Sequence, residues 1–197
     1  MIIGENDLKQ SERVISDDQL YNQYLSGDSA SADQLLLRHG DALTAYLCAF
    51  LHNAQDAEDL MIESFARIIA KKPSIREGGF KAYLYKTARN LGIRFAEKQR
   101  RTQTFLLDEQ DKNIADPILT EKLLLENEKK EAIYRCLGRI AQEYKEALWL
   151  VYMEDLSYIQ AADVMRVSRK KIDNLLSRGK LILRKELEKE GITGAYD

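Results

Sequence analysis

The sequence contains few of the residues that break helices, cross-link chains or bind metal ions. It has two prolines, two cysteines and two histidines among 197 residues. Cys48 and Cys136 are far apart and have no neighbouring Cys or His at metal-ligand spacing, so buried thiols are favoured over a disulfide or a zinc site. His39 and His52 show no such spacing either. The sequence therefore predicts no metal site and no cofactor.

Long apolar runs are also missing from the sequence. No segment approaches the roughly 20 apolar residues that a membrane-spanning helix needs. The first residues, MIIGENDLKQSERV, lack the basic and then apolar pattern of a secretory signal peptide. We therefore expect a cytoplasmic protein with no membrane span.

The residues that are abundant, Ala, Leu, Glu, Lys and Arg, favour helices, and little of the chain alternates as strands do. This pattern predicts an all-α protein with two small helical domains joined by a flexible acidic linker. The predicted divisions are an N-terminal extension at 1–16, a first domain at 17–101, a linker at 102–122, a second domain at 123–190 and a tail at 191–197. Helices of the first domain are predicted at 17–26, 31–39, 41–52, 56–71 and 80–101, with Asp56 capping the fourth.

The charges are segregated along the chain, although the net charge is only −2. Residues 1–66 carry twelve acidic and three basic side chains, whereas residues 67–101 carry eleven basic and two acidic ones. Residues 102–131 are acidic again, with eight acids and four bases, and residues 166–189 carry nine bases and three acids. Two basic blocks separated by an acidic stretch predict two contacts with one polyanion, such as a nucleic acid.

Residues 157–178 are typical of a helix-turn-helix. Ser157 and Ser168 are suited to cap two helices that are separated by a turn at 166–168. The side chains predicted to be buried are Ile159, Ala162, Val164 and Met165 in the first helix, and Ile172, Leu175 and Leu176 in the second. The second helix then presents cations and Asn174 on its other faces, where it can enter a DNA major groove. This stretch alone leaves open an ordinary helical hairpin with a solvated basic face.

Four blocks of the chain, in this order, resemble the ECF (extracytoplasmic function) class of bacterial sigma factors. They are DDQLYNQYLSGDSASADQLLLRHGDALTAYL at 17–47, DAEDLMIESFARII at 56–69, FKAYLYKTARNLGIRFAEKQRR at 80–101 and SYIQAADVMRVSRKKIDNLLSRGKLILRKEL at 157–187. The resemblance implies an alternative sigma factor, not an enzyme, that binds core RNA polymerase and directs transcription from particular promoters. The implied partners are the clamp helices of the polymerase largest subunit, the polymerase flap for the second domain, promoter DNA and an anti-sigma factor. The linker is implied to pass through the polymerase active-site cleft and RNA exit channel.

The resemblance gives the helix at 56–71 the role of docking on core polymerase. Asp56, Asp59 and Glu63 share one helix face by their spacing. The predicted docking residues are Asp56, Asp59, Leu60, Ile62 and Glu63, and the family often has Gln where Ile62 stands. A favourable interaction with the helix dipole is an alternative reason for Asp56. Binding of a divalent metal by the three carboxylates, as in a nuclease, is the enzymatic alternative.

The basic block at 72–101 is implied to melt and read the −10 promoter element. Tyr83 and Tyr85 are interleaved with cations, and aromatic side chains can stack on unpaired bases while cations hold the strand. Phe80 is assigned to the core. The Gly78-Gly79 loop would allow the backbone to approach a flipped base closely. The predicted −10 contacts are Arg76, Lys81, Tyr83, Lys86, Arg89, Asn90, Arg94, Lys98, Arg100 and Arg101.

The helix-turn-helix is implied to read the −35 element. The predicted contacts are Ser168, Arg169, Lys170, Lys171, Asn174 and Arg178. Lys171 and Asn174 are suited to base edges, whereas the other cations are suited to phosphates. Arg166 stands where the family usually has a small residue, often Gly, and a left-handed turn there would cost an arginine about 1 kcal/mol. Leu175 stands where the family often has Arg, which removes one candidate phosphate contact.

Two other functions remain open from the sequence. The first is a helix-turn-helix regulator that binds DNA without engaging polymerase, which a pull-down with core polymerase would separate from a sigma factor. The second is a metal-dependent nuclease using Asp56, Asp59 and Glu63, which a cleavage assay with and without a chelator would test.

Overall fold

The computed structural model describes residues 15–105 and 128–192, and these ranges contain helices and turns but no strand. The first domain contains α1 (Asp17–Leu25), α2 (Ser29–Leu51), α3 (Ala54–Lys71) and α4 (Phe80–Phe105). The second contains α5 (Glu128–Gly138), α6 (Gln142–Leu148), a π-helical turn that continues α6 (Trp149–Met153), α7 (Tyr158–Met165) and α8 (Arg169–Lys189). The predicted all-α fold with two helical domains is therefore confirmed.

Several predictions fall on parts of the chain that the structure does not describe. The N-terminal extension at 1–14, the linker at 106–122, the start of the second domain at 123 and the tail at 193–197 lie outside the described residues. Within the described ranges, no helix combines the length and the apolar character that crossing a membrane requires.

The first helix begins at a capping box. The Ser16 hydroxyl accepts a hydrogen bond from the backbone N–H of Gln19, and the Gln19 side chain accepts one from the backbone N–H of Ser16 in return. This pairing satisfies two of the backbone donors that a helix start leaves open. The neighbouring Asp17 carboxylate contacts Arg38 at 2.6 Å and His39 at 2.8 Å. The start of α1 is thereby held against α2.

Gly40 does not interrupt α2. The sequence predicted separate helices at 31–39 and 41–52, but one helix runs from Ser29 to Leu51, so that prediction is wrong. A glycine inside a helix costs only about 1 kcal/mol relative to alanine. Gly40 is buried, and a Cβ added there would lie 3.8 Å from the Met61 sulfur of α3. Packing on both sides of the glycine therefore outweighs the local preference for a break.

The N-cap of α3 is Asn53. The sequence predicted Asp56 in that role, but Asp56 lies in the first turn, and its backbone N–H donates to the Asn53 side chain at 3.1 Å. Asn and Asp are about equally good caps, so the choice between them was not decided by residue type. The helix therefore begins at Ala54, two residues earlier than predicted.

The fourth helix packs its apolar stripe into the core of the first domain. Phe80, Leu84, Ala88 and Leu91 are all buried, as the sequence predicted. The ring of Phe80 packs against Tyr21 of α1, with ring centroids 5.3 Å apart. The helix continues to Phe105 rather than ending at Arg101. Its opposite faces carry the cations considered below.

The helix-turn-helix forms as predicted, with one exception. Ser157 caps α7 with a capping box to Gln160, and Ser168 caps α8 by accepting from the backbone N–H of Lys171. The buried residues predicted correctly are Ala162, Val164, Met165, Ile172, Leu175 and Leu176. Ile159 was predicted to be buried but is 64% exposed. At 100° per residue, it lies nearly opposite the buried Ala161 on α7.

The two domains pack against each other. Helix α7 lies against α4, and buried side chains of both domains form one hydrophobic cluster. The Tyr46 hydroxyl of α2 donates a hydrogen bond to the Glu146 carboxylate of α6 at 3.0 Å, across 100 residues of sequence. The sequence predicted the two domains but not this contact between them.

Candidate polymerase and promoter interfaces

The outward face of α3 carries the three predicted docking carboxylates together. Asp59 accepts a hydrogen bond from Gln55 at 3.2 Å, and Glu63 pairs with Arg67 at 2.6 Å, one turn further along. Asp56 accepts from Gln99 of α4 at 3.3 Å. These partners are exposed or half-exposed, and such pairs are weak. The face therefore remains able to exchange them for cations on another protein.

The two apolar residues predicted in this docking set have different positions. Ile62 is 53% exposed beside the carboxylates, where it can contact a partner. Leu60 is only 6% exposed and points into the core, so it holds α3 in place and presents no surface for docking. Among the described residues, no group of His, Cys, Asp and Glu side chains is arranged to hold a metal ion.

The loop before α4 is held by backbone contacts. Gly78 has φ of +70°, a left-handed conformation that glycine adopts without strain. Its N–H donates to the Asp18 carboxylate at 2.7 Å, and its carbonyl accepts from the Gln160 side chain of α7 at 2.8 Å. At Gly79 an added Cβ would lie 2.7 Å from the Arg76 carbonyl oxygen, which excludes a larger residue without a backbone shift. Both glycines are therefore required by the path of this loop.

Three of the predicted −10 cations contact carboxylates of the second domain. The ion pairs are Lys81 with Glu154 at 3.1 Å, Lys86 with Asp163 at 2.7 Å and Arg89 with Glu146 at 2.5 Å. The cations toward the end of α4 and before it are exposed instead, namely Arg76, Arg94, Lys98, Arg100 and Arg101. Asn90 and Tyr83 are half-buried. The predicted −10 surface is thus divided into a covered part and an exposed part.

The acidic side of this contact was not predicted from the sequence. Glu146 and Glu154 are each 4% exposed, which is rare for carboxylates unless they are paired. Glu154 also accepts a hydrogen bond from the Trp149 indole N–H at 3.1 Å. Neither acid belongs to a motif that the sequence analysis identified.

Aromatic hydroxyls line the same contact. Burial, together with the Glu146 carboxylate, raises the pKa of the Tyr46 hydroxyl far above its ordinary value. Burial and the nearby Glu154 carboxylate also raise the pKa of the Tyr85 hydroxyl. Within the described residues, however, the Tyr85 oxygen reaches no partner at hydrogen-bonding geometry.

A buried lysine lies beside Glu146. The Lys145 ammonium donates to the Ala49 carbonyl of α2 at 3.4 Å, and burial lowers the pKa of that ammonium. Lys145 is 5% exposed, and it was not among the predicted site residues. Its contact adds a further link between α6 and the first domain.

The N-terminal half of the second helix of the helix-turn-helix separates an apolar face from a basic face. Ile172, Leu175 and Leu176 are 0 to 2% exposed, whereas all the predicted −35 residues are exposed: Ser168, Arg169, Lys170, Lys171, Asn174 and Arg178. Lys171 lies 3.1 Å from the Glu143 carboxylate of α6. The face that can enter a major groove is therefore open to solvent.

The turn before this helix has the left-handed geometry that favours glycine. Arg166 is the C-cap of α7, with φ of 56° and ψ of 44°. Its N–H and that of Val167 donate to carbonyls in the last turn of α7. The expected strain at Arg166 is therefore present in the fold.

Comparisons with known proteins agree with this architecture. The family model "Sigma-70 region 2" matches residues 35–102, and "Sigma-70, region 4" matches residues 130–183. The RNA polymerase sigma-H factor of Pseudomonas aeruginosa is 25% identical over 159 residues, covering 76% of this chain and 82% of that protein. The ECF RNA polymerase sigma factor SigM of Bacillus subtilis is 24% identical over 148 residues, covering 75% and 90% respectively.

Solved structures show the same fold. The sigma factor RpoE of Bartonella quintana, in complex with the anti-sigma factor NepR, matches with a TM-score of 0.63 and 22% identity, covering 79% of this chain and 96% of that one. CnrH in complex with the cytosolic domain of CnrY matches with a TM-score of 0.61 and 21% identity, covering 87% and 97%. The two family models together span most of the chain, and this chain accordingly belongs to the sigma-70 family as an ECF-class RNA polymerase sigma factor, an alternative sigma factor that directs transcription initiation.

Proposed function

We propose that this sigma factor divides its work among three surfaces. The acidic face of α3, with Asp56, Asp59, Ile62 and Glu63, binds the clamp helices of the polymerase largest subunit. The basic face of α4 with Tyr83 captures the melted −10 strand, and the exposed face of α8 reads the −35 element. The boundaries 17–101 and 123–190 enclose the two functional units. The protein itself carries no catalysis, because bond formation belongs to the polymerase.

The observation that carries this proposal is the division of α8 into two faces. Its apolar stripe is buried against the rest of the second domain, so the helix is rigidly presented. The cations at its N-terminal end and Asn174 remain exposed. A helix presented in this way is what major-groove reading requires, with cations on phosphates and a few side chains on base edges.

Support for the docking assignment comes from the exposed set on α3. Three carboxylates beside an exposed isoleucine combine charge with apolar contact area. Charge complementarity of this kind governs the rate and the specificity of association. Leu60 is left out of the proposed surface because it is buried.

Support for −10 capture comes from the composition of α4. Cations recur along its length, and Tyr83 is half-buried among them with its ring packed against the core. Aromatic stacking holds an unpaired base, while cations hold the phosphates on either side. The family commonly has Trp at this position, and Tyr stacks with less area.

The remaining partners follow from the family. We propose that the second domain contacts the polymerase flap, that the linker passes through the polymerase cleft, and that the protein acts in the cytoplasm. An anti-sigma partner is supported by the complex of RpoE with NepR, whose sigma factor shares this fold.

The test is run-off transcription by core polymerase, with and without the protein, across a library of promoters. Transcription that depends on the protein and on a subset of promoters supports the proposal. The double substitution Arg169→Ala with Lys170→Ala should reduce this promoter-dependent transcription. Lys185→Ala with Lys189→Ala removes the same charge from the far end of α8 and should leave transcription unchanged. DNA binding without capture of core polymerase would favour the regulator instead, and chelator-sensitive DNA cleavage would favour the nuclease.

A further inference from the structure

Lys171 differs from the other exposed cations near it on α8 because it is paired with a carboxylate of another helix. Its Nζ atom lies 3.1 Å from the Oε2 atom of Glu143 on α6. Arg169, Lys170 and Arg178 form no ion pair with another described residue. Of these four cations, the paired one is therefore the cation that is suited to base edges rather than to phosphates.

The carboxylate of Glu143 is fixed beside α8 because α6 packs closely against that helix. A Cβ added at Gly179 of α8 would lie 3.4 Å from the Cβ of Tyr144, the residue after Glu143. Ser168 fixes the other member of the pair by accepting a hydrogen bond from the backbone N–H of Lys171. Both backbones are thus held, and exchange of the ion pair needs only side-chain rotation.

The ion pair is weak enough to exchange. The Lys171 side chain is 48% exposed and the Glu143 side chain is 51% exposed. Exposed pairs contribute little free energy and are screened by salt. Glu143 lies in the first turn of α6, where the helix dipole favours an acid, but the dipole does not account for the contact with α8. DNA that offers better partners can therefore separate the two side chains.

An acid at this edge of α8 has different consequences for the two kinds of DNA contact. Phosphates and most base-edge atoms of the major groove are acceptors, and these repel a carboxylate. Cytosine suits a glutamate because its N4 amino group is a donor, and the guanine paired with it presents acceptors that suit a lysine. A G·C pair can therefore satisfy both members of the ion pair, whereas a phosphate satisfies Lys171 and leaves Glu143 beside negative charge.

We propose that Glu143 is a specificity-determining residue of −35 recognition and selects a G·C pair. At that pair the Glu143 carboxylate accepts a hydrogen bond from cytosine N4, and the Lys171 ammonium donates to guanine O6 or N7. At other sequences Lys171 stays paired with Glu143 and adds no phosphate contact. This inference rests on the proposed function, which places the exposed face of α8 on the −35 element.

The first test measures binding of the full chain to duplex DNA of random sequence at several salt concentrations. Glu143→Gln keeps the size of the side chain, removes its charge and frees Lys171 for a phosphate. We expect tighter binding, and a plot of log affinity against log salt that steepens by about 0.9, the value for one added phosphate contact. Circular dichroism checks that the fold is intact.

Two further variants control this measurement. Glu188→Gln makes the same charge change at the exposed far end of α8 and should keep the parent slope. Glu143→Gln with Lys171→Ala should also return to the parent slope, because the freed cation is gone. A parent-like slope in Glu143→Gln, or a steeper slope that persists without Lys171, would overturn the proposal.

The second test selects a −35 promoter library with the holoenzyme. The parent should enrich a G·C pair at one position. Glu143→Gln should reduce that enrichment about fivefold or more, the lower end of the discrimination that one base contact supplies. Glu188→Gln should reproduce the selection by the parent. An unchanged preference would overturn the proposal, and so would a uniform loss across all sequences, which is the effect of a residue that only supports the fold.

Failure of this inference is distinguishable from failure of the proposed function. Arg169→Ala with Lys170→Ala is carried through both measurements. If it reduces the salt dependence and weakens transcription while Glu143→Gln changes neither measurement, α8 binds DNA and only the role of Glu143 is rejected. If neither variant changes either measurement, the −35 assignment of α8 is itself rejected.

Discussion

The Asp17 carboxylate of α1 lies 2.8 Å from the Nε2 atom of His39 in α2, and the same carboxylate contacts Arg38. Partial burial alone would raise the pKa of Asp17. Its hydrogen bonds and charge interactions with His39 and Arg38 outweigh burial and hold the pKa below the ordinary value of 3.8. The ionised form of Asp17 is therefore more favourable in the folded protein than in the unfolded chain.

This difference predicts how stability changes with pH. A carboxylate whose pKa is lowered by folding stabilises the protein above its unfolded pKa, and that contribution is lost as the pH falls through the folded pKa. Asp17→Asn should lower the free energy of unfolding by about 1–2 kcal/mol at neutral pH. The gap between variant and parent should close below pH 3.8. Urea unfolding of the variant and the parent across this pH range is the measurement. Asp33→Asn, an exposed change on α2, is the control. A stability difference between Asp17→Asn and the parent that stays constant with pH would contradict the prediction.

A second prediction concerns the backbone at Arg166. Its φ of 56° disfavours any residue with a Cβ, and glycine relieves this strain while losing some entropy on folding. Arg166→Gly should therefore raise the free energy of unfolding by up to about 1 kcal/mol. Arg166→Ala keeps the strain and removes the side chain, so it should give no such gain. Equal stability of the two variants in urea unfolding would show that backbone strain is not the cause.

A third prediction concerns docking on core polymerase. Asp59→Lys with Glu63→Lys replaces attraction by repulsion, which costs several kcal/mol at an interface, so holoenzyme assembly should be abolished. Glu63 also loses its pair with Arg67, a small effect on the helix of about 0.5 kcal/mol. Circular dichroism should show an intact fold. Asp33→Lys with Glu188→Lys carries the same charge change elsewhere, and equal affinity of both double variants for core polymerase would reject the docking face.

A fourth prediction concerns strand opening. Tyr83→Ala should leave the closed promoter complex nearly intact and weaken the melted one, because stacking of a base on an aromatic ring is worth about 1–3 kcal/mol. Tyr83→Phe keeps the ring and should behave as the parent. Permanganate footprinting of thymines on the promoter measures opening. Normal reactivity in the alanine variant would mean that Tyr83 only packs against the core.

A fifth prediction separates reading from positioning on α8. Lys171→Ala should change which −35 bases are preferred, by about 1–3 kcal/mol at the affected pair. Lys170→Ala should weaken all promoters alike and reduce the salt dependence, as loss of a phosphate contact does. Lys171 is held 3.1 Å from Glu143, so it must leave that carboxylate to reach a base. Selection of a −35 library with each variant is the measurement, and an unchanged preferred sequence with Lys171→Ala would overturn the division.

Local signals in the sequence were sufficient for much of the fold. The caps Ser157 and Ser168 and the buried stripe with Ile172 were predictable because both depend on residues within one or two turns. The predicted helix break at Gly40 was wrong because the burial of Gly40 against α3 is a tertiary contact. The N-cap Asn53 was missed because the nearby Asp56 is an equally good capping residue.

The parts that could not be predicted depend on distant residues. Arg89 and Glu146 are 57 positions apart, and Tyr46 and Glu146 are 100 apart. No periodicity or motif relates residues over such separations. The basic residues of α4 could therefore be predicted from the sequence as candidate DNA contacts. Their ion pairs with the second domain could be seen only in the structure.

The π-helical turn at Trp149–Met153 changes the direction in which the side chain after it points. Each residue advances an α-helix by 100°, and a π turn takes in an additional residue. The turn closes when the Glu154 N–H donates to the carbonyl of Trp149, five residues back rather than four. The additional residue rotates the direction of the next side chain by about 100°, more than a quarter of a turn, relative to an uninterrupted α-helix. In this orientation the Glu154 side chain faces Lys81 of the first domain. The alignment of the two domains thus depends on the number of residues in one helical turn as well as on the identity of the side chains.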